Sequence, residues 1–224
     1  MRNNRKHICV IGLGQFGSAL AVNLARTCEV LAIDINEAKV NAVSEAVQQA
    51  LILDARDYAS LSSVVTDDFD EAFVSPGNLE ASILCVLHLK KIGVPMIRAK
   101  AYNDDHASVL RAIGANQAIF PERETAERVA AQIVNPNLLD FVPLGEDYRV
   151  MEIVPPQSFV GKTLSELQIR NRYGAFVIAV KEMIPPRFTF LPGPDFRVKP
   201  SDILLMIGRE GHLNQIQDNR LESQ

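Results

Sequence analysis

The sequence predicts a doubly wound parallel α/β domain followed by a smaller α+β module. Three observations carry that prediction. From His7 to about Phe120, short apolar runs alternate with segments of helical periodicity. The runs are almost continuously apolar, as strands covered on both faces must be. After Pro121 the rhythm stops, and Pro155-Pro156, Pro185-Pro186 and Pro192-Gly193-Pro194 cut the remainder into short pieces.

The expected strands of the first domain are His7–Ile11, Glu29–Asp34, Ala50–Leu53, Glu71–Val74, Met96–Ala101 and Gln117–Phe120. Between them the periodicity predicts helices near Gln15–Arg26, Asn36–Glu45, Tyr58–Val64, Leu79–Ile92 and Asp105–Ile113. In the first of these, Phe16, Ala19, Leu20 and Leu24 share a face, and Gly93 and Gly114 suit the C-terminal caps of the last two. The helix Leu79–Ile92 carries a stripe of Leu79, Ile83, Val86 and Leu87. Leu84, Cys85 and Leu89 lie beyond it, enough apolar surface to meet a second subunit as well as a sheet. Glu122–Val134 reads as one more helix, stopped by Asn135-Pro136-Asn137. A connector with Pro143 and Gly145 follows, then strands near Arg149–Val154, Phe176–Lys181 and Ile203–Ile207 and one helix near Thr163–Ile169. The expected domains are residues 1–137 and 138–224.

Composition narrows the function. With 23 Lys+Arg against 27 Asp+Glu the net charge is −4, which argues against a nucleic-acid or polybasic membrane-surface binder. No apolar run approaches the ~18–20 residues that span a bilayer. The basic start Arg2–Lys6 and the apolar run after it imitate a signal peptide, but the run is too short and meets Gly12 with no cleavage site. Cys9, Cys28 and Cys85 fit neither a disulfide framework nor a zinc site, and read as buried thiols of a cytoplasmic protein. His7, His88, His106 and His212 make no metal spacing, and His88 reads as a packed side chain.

The informative motif is Gly12-x-Gly14-x-x-Gly17 between the first strand and first helix. Its first glycine permits a tight turn, its second a close approach of pyrophosphate, and its third close helix–strand packing. The helix N-terminus then offers unpaired N–H groups, including those near Gln15 and Phe16, to phosphates. Asp34 closes the second strand 22 residues after Gly12, where a carboxylate holds ribose hydroxyls and repels a 2′-phosphate. This is a Rossmann-like arrangement for an adenosine phosphate. Ligands of such sheets lie outside the carboxyl ends of strands. Ile35, Asp54-Ala55-Arg56, Ser75-Pro76-Gly77-Asn78, Arg98 and Lys100 are therefore further candidates. Arg56 reads equally as a solvated charge, and Arg98 or Lys100 as half of a structural ion pair. Val160-Gly161-Lys162-Thr163 imitates a P-loop, but Pro156 stands where a glycine is needed, and Thr163-x-x-Glu166 reads as a capping box.

Several segments in order resemble the RCK (regulator of conductance of K⁺, or KTN) proteins, the cytosolic gating subunits of bacterial Trk/Ktr potassium uptake systems. These are Ile11–Gly17, Val30–Asn36, Asn78–Leu84, Ile113–Asn116 and Phe120–Arg123, then Gly161–Leu164 and Asp202–Gly208. The resemblance implies a regulatory subunit rather than an enzyme, peripheral to the inner face of the membrane through an integral channel partner. It implies dimers sharing the crossover helix Glu122–Val134, assembled into a ring, expected to be an octamer. Nucleotide in the Gly12–Gly17 crevice would change the dimer hinge. It also implies Lys100 near the phosphates, a divalent cation at Glu122, and cyclic di-AMP near Ile169-Arg170 and Tyr173-Gly174-Ala175. Gln15 stands where ATP-responsive members carry arginine, which leaves ADP, AMP or NAD(H) open beside ATP. Two other readings stay open. An NAD-dependent oxidoreductase lacks a Tyr-x-x-x-Lys pair here, and a free-standing nucleotide sensor would need no channel.

Overall fold

The computed structural model describes residues 5–134 and 138–217. Asn135-Pro136-Asn137, expected to stop a helix, and most of the basic start lie outside the described residues. Contacts divide the chain into two compact units, Met1–Glu122 and Arg123–Gln224.

In the first unit β1 (His7–Ile11), β2 (Glu29–Asp34), β3 (Gln49–Ile52), β4 (Glu71–Val74), β5 (Ile97–Lys100) and β6 (Gln117–Ile119) form one sheet. Its order is β3-β2-β1-β4-β5-β6, and every pairing is parallel. The chain moves outward from β1 to β3 and then returns to its other side at β4. A crevice therefore opens where β1 and β4 diverge. The helices are α1 (Gln15–Leu24), α2 (Glu37–Val43), α3 (Tyr58–Ser62), α4 (Leu79–Ile92) and α5 (Asp104–Ala112). Alternate residues of the strands feed two cores. Ile8, Val10, Val30, Ala32 and Phe73 pack with Ala21, Val40 and Val43 of α1 and α2. Cys9, Ile11, Ile33, Val74 and Ile97 pack with Leu61, Val86, Leu89 and Leu110 of α3, α4 and α5. The period of two on each strand produces this sorting.

Side-chain caps set the helix starts. Asn36, Asp57, Asn78 and Asn103 each accept a backbone N–H of the turn they open. Two expected stripes are corrected. On α1 the buried residues are Gly17 and Ala21, with Phe16, Leu20 and Leu24 beside them and Ala19 exposed. Small residues face the sheet because α1 lies too close to β1 for larger ones. On α4 the buried residues are Ala81, Ser82, Cys85, Val86 and Leu89, whereas Leu79 and Leu87 are 49% and 48% exposed. Cys9 and Cys85 are buried thiols as expected, but Cys28 is only half-buried.

The helix α6 (Pro121–Val134) links the two units and has no buried residue. In the second unit an antiparallel sheet runs β10-β9-β11-β8-β7. Its strands are β7 (Leu138–Pro143), β8 (Tyr148–Ile153), β9 (Phe176–Met183), β10 (Pro186–Phe190) and β11 (Ile203–Arg209). Residues 138–143, expected as a connector, are a strand because Phe141 and Val142 pair with Met151 and Val150 across Gly145. The single expected helix is two, α7 (Leu164–Leu167) and α8 (Ile169–Tyr173), divided at Gln168 with φ 48°. The sequence reading also passed over β10 and the helix α9 (Glu210–Gln217). Met151, Ile153, Leu204, Met206 and Leu213 centre this unit's own core. Thr163 and Glu166 form the expected capping box, each side chain meeting the other's backbone N–H.

Candidate functional site

The turn from β1 into α1 is shaped by its glycines. Gly12 has φ +91°, and a Cβ there would lie 2.4 Å from the carbonyl oxygen of Ser75. Its N–H donates to Ile33 O at 2.8 Å, while Ser75 N–H donates to Ile11 O at 2.7 Å. The turn is thus wedged between β2 and β4, and only glycine fits. Gly17 has a different constraint: a Cβ there would lie 1.9 Å from Gly12 O. Gly14 has open space, since a Cβ would meet nothing within 4 Å. It is the N-cap of α1 and offers no side chain to the first-turn amides, and that turn carries no acidic residue. The first turn of α1 therefore keeps its positive dipole end and amides without a capping side chain or a carboxylate of its own.

Asp34 ends β2 beside this turn and is 8% exposed. Its Oδ2 accepts the Leu13 N–H at 2.7 Å and its Oδ1 accepts the Asn36 N–H at 2.8 Å. Each oxygen of a carboxylate has a further lone pair, so two acceptors remain for a diol. Lys39 Nζ stands 3.6 Å from Oδ2. Asp34 thereby ties the glycine turn to the end of β2.

A cleft of about 210 Å³ opens at the divergence of β1 and β4. The structure brings Gly12, Asp34, Ile35, Asp54, Ala55, Arg56, Gly77 and Asn78 together on its walls. Arg56 Nη2 lies 2.7 Å from Asp54 Oδ2 and its Nε 2.9 Å from Oδ1. The guanidinium holds the Asp54 carboxyl below the usual carboxylate range. Asn78 uses its amide oxygen to cap α4, accepting Ala81 N–H at 2.7 Å.

Other candidates lie elsewhere. Gln15 is exposed at the first position of α1. The Phe16 ring packs on Phe73 with centroids 5.6 Å apart, so its side chain belongs to the core rather than the cleft. Ser75 is buried against Gly12. Arg98 is not brought to the cleft: its Nε lies 2.8 Å from Glu71 at the opposite end of β4. Lys100 pairs with Glu122 and holds that carboxyl below its ordinary range. No group of three His, Cys, Asp or Glu that could hold a metal occurs among the described residues. Of the residues named for cyclic di-AMP, Ile169, Arg170 and Ala175 line a shallow cleft in the second unit. Tyr173 is buried in the core of that unit.

The sequence reading missed Lys39, Leu53, Ala81 and Cys85, all on the cleft wall. Lys39 was accessible to it, one turn beyond Asp34 on a helix opened by Asn36. Cys85 was not, because its side of α4 is decided by packing, and burial pushes its thiol up to about 12.

Comparison with known proteins follows the same division. A TrkA-N domain model matches residues 8–121 and a TrkA-C domain model residues 149–220. The chain is 39% identical over 210 residues to Ktr system potassium uptake protein C of Bacillus subtilis, covering 91% of this chain and 92% of that one. It is 32% identical over 219 residues to Ktr system potassium uptake protein A of the same organism, covering 97% and 98%. Among solved structures, a GsuK channel bound to NAD superposes with TM-score 0.63 at 18% identity, covering 96% of this chain and 40% of that chain. This chain thus spans less than half of that solved one, and the likeness is one of fold. No helix among the described residues is long and apolar enough to cross a membrane. By its two domain matches and its Ktr relatives, the chain belongs to the TrkA family.

Proposed function

We propose that this chain is the nucleotide-binding regulatory subunit of a potassium transporter, taking an adenine nucleotide or NAD(H) in the cleft between β1 and β4. One observation carries the reading. The N-cap of α1 is a glycine with open space on its Cβ side and no capping side chain, and Asp34, bonded to the same turn through the Leu13 N–H, is a buried carboxylate with a further lone pair on each oxygen. Phosphates suit the first and a ribose diol the second. The Ktr relatives are potassium uptake proteins and the GsuK channel binds NAD, which supports both halves of the reading. When bound, the nucleotide supplies charge at the turn, and the chain supplies the amides of α1 and the Asp34 carboxylate. On the cleft walls Asp54 and Arg56 are locked to each other, and the Ktr relatives are potassium uptake proteins, which favours regulation over turnover.

The chain would act from the cytoplasmic side through an integral membrane partner. Self-association is supported by exposed Leu79 and Leu87 on α4 and by Val129 and Ile133 on α6. A ring of such chains could pass a nucleotide-dependent shift to a channel, provided its conformations bind nucleotide with different affinity. The test is mass identification of nucleotide released from denatured, freshly purified protein, followed by co-purification with the membrane partner. Protein that carries no nucleotide and yields no heat with ADP, ATP or NADH would overturn the reading.

A further inference from the structure

The turn between β5 and α5 holds a polar cluster that the cleft description does not use. Tyr102 Oη donates to the carbonyl of Pro76 at 2.6 Å, and Pro76 lines the cleft. The Tyr102 backbone N–H donates to His106 Nδ1 at 3.3 Å, and the two rings stack with centroids 5.2 Å apart and planes 10° apart. With Nδ1 accepting, the proton of the neutral imidazole sits on Nε2. Nε2 therefore donates to Ser82 Oγ, 2.9 Å away, and that hydroxyl donates in turn to Leu79 O at 2.7 Å. His106 and Ser82 are 2% and 1% exposed.

The segment between β4 and α4 is thus held at two points from the β5–α5 turn. Pro76 is fixed before the helix begins, and Ser82 inside its first turns. Between them Gly77 has nothing within 4 Å of where a Cβ would stand, so the rim has little local packing of its own. Burial raises the phenol of Tyr102 and lowers the imidazole of His106, so both donors persist at neutral pH. The Tyr102 ring also lies 5.9 Å from Lys100 Nζ, whose partner Glu122 stands in the first turn of α6.

We propose that Tyr102 is a positioning residue for the cleft, its hydroxyl holding the Pro76–Asn78 rim in the conformation that receives the nucleotide. This rests on the reading of the cleft given above. A rim already fixed avoids the ordering cost of binding, and removing the anchor returns that cost to the ligand. Tyr102→Phe keeps the stacked ring and deletes the donor.

The experiment uses the full chain, with amide hydrogen exchange and with ADP and NADH calorimetry. Exchange at Gly77 and Asn78 should rise about tenfold and both dissociation constants about 3- to 10-fold, the range of one neutral hydrogen bond. The unfolding midpoint should fall by only about 1–6 °C, the same single bond read globally. Unchanged exchange would overturn the anchor. Faster exchange with unchanged affinity would overturn its role in binding. Wild-type protein that binds neither nucleotide would overturn the cleft reading, and a rim response to Tyr102→Phe would then mark the anchor as purely structural.

Discussion

Gly14 and Gly17 share one turn but answer to different forces, and alanine at each separates them. A Cβ at Gly17 would sit 1.9 Å from Gly12 O, a backbone atom that cannot swing aside. Contact requires more than about 3 Å, so α1 must lift from β1 by roughly 1 Å. Overpacking of this kind costs about 1–3 kcal/mol, or about 2–12 °C in the midpoint of a chain this size. Gly14 has φ −68°, open to any residue, and free space around it. Alanine there loses roughly 0.5–1 kcal/mol as a cap, glycine being the better N-cap, and regains about 0.4–1 from the unfolded chain. Its midpoint should therefore stay within about 2 °C. Its methyl group, however, occupies the side on which phosphate would approach. Loss of one charge-assisted amide contact, about 1.5–3 kcal/mol, weakens nucleotide binding about 10- to 100-fold. Scanning calorimetry and titration with ADP and NADH read both effects. Wild-type affinity in Gly14→Ala would refute the phosphate position, and wild-type melting in Gly17→Ala would refute the packing argument.

Asp34→Asn turns one acceptor into a donor facing the N–H of Leu13 or Asn36, which should cost about 1–3 kcal/mol by urea titration. It should also weaken ADP binding more than pyrophosphate binding; equal losses would remove the ribose role. Gln15→Arg, at the exposed first position of α1, should raise the preference for ATP over ADP, and unchanged relative affinities in calorimetry would dismiss that contact. Burial holds His106 below its ordinary pKa, so the unfolded chain takes up this proton first as pH falls. Its contribution is complete above about pH 6.5 and declines as pH drops from there through the lowered folded value. His106→Gln should flatten that part of the stability–pH curve, and a wild-type slope in the variant would contradict the assignment.

Much of the architecture could be read from local pattern alone. Strands of the first unit alternate with helices at spacings that determine a parallel sheet, and β1, β2, β4 and α4 keep their expected bounds. Glycine spacing before a helix and an aspartate ending the next strand placed the candidate site, because each motif acts within a few residues of backbone. The second unit was less legible. β7 and β10 are held mainly by cross-strand pairing, and such pairing leaves a weak local signature.

Side-chain direction was settled only by packing. Period counting on α4 chose Leu79, Ile83, Val86 and Leu87, yet of these the fold buries only Val86, with Ala81, Cys85 and Leu89, because a helix that is apolar nearly all round contains no internal preference between its faces. The same holds for charge. Arg98 and Lys100 share one strand face, but Glu71 and Glu122, distant in sequence, capture them. Chain order thus determined which segments meet at the crevice. Which side chains enter it depended on partners that only the folded chain brings within reach.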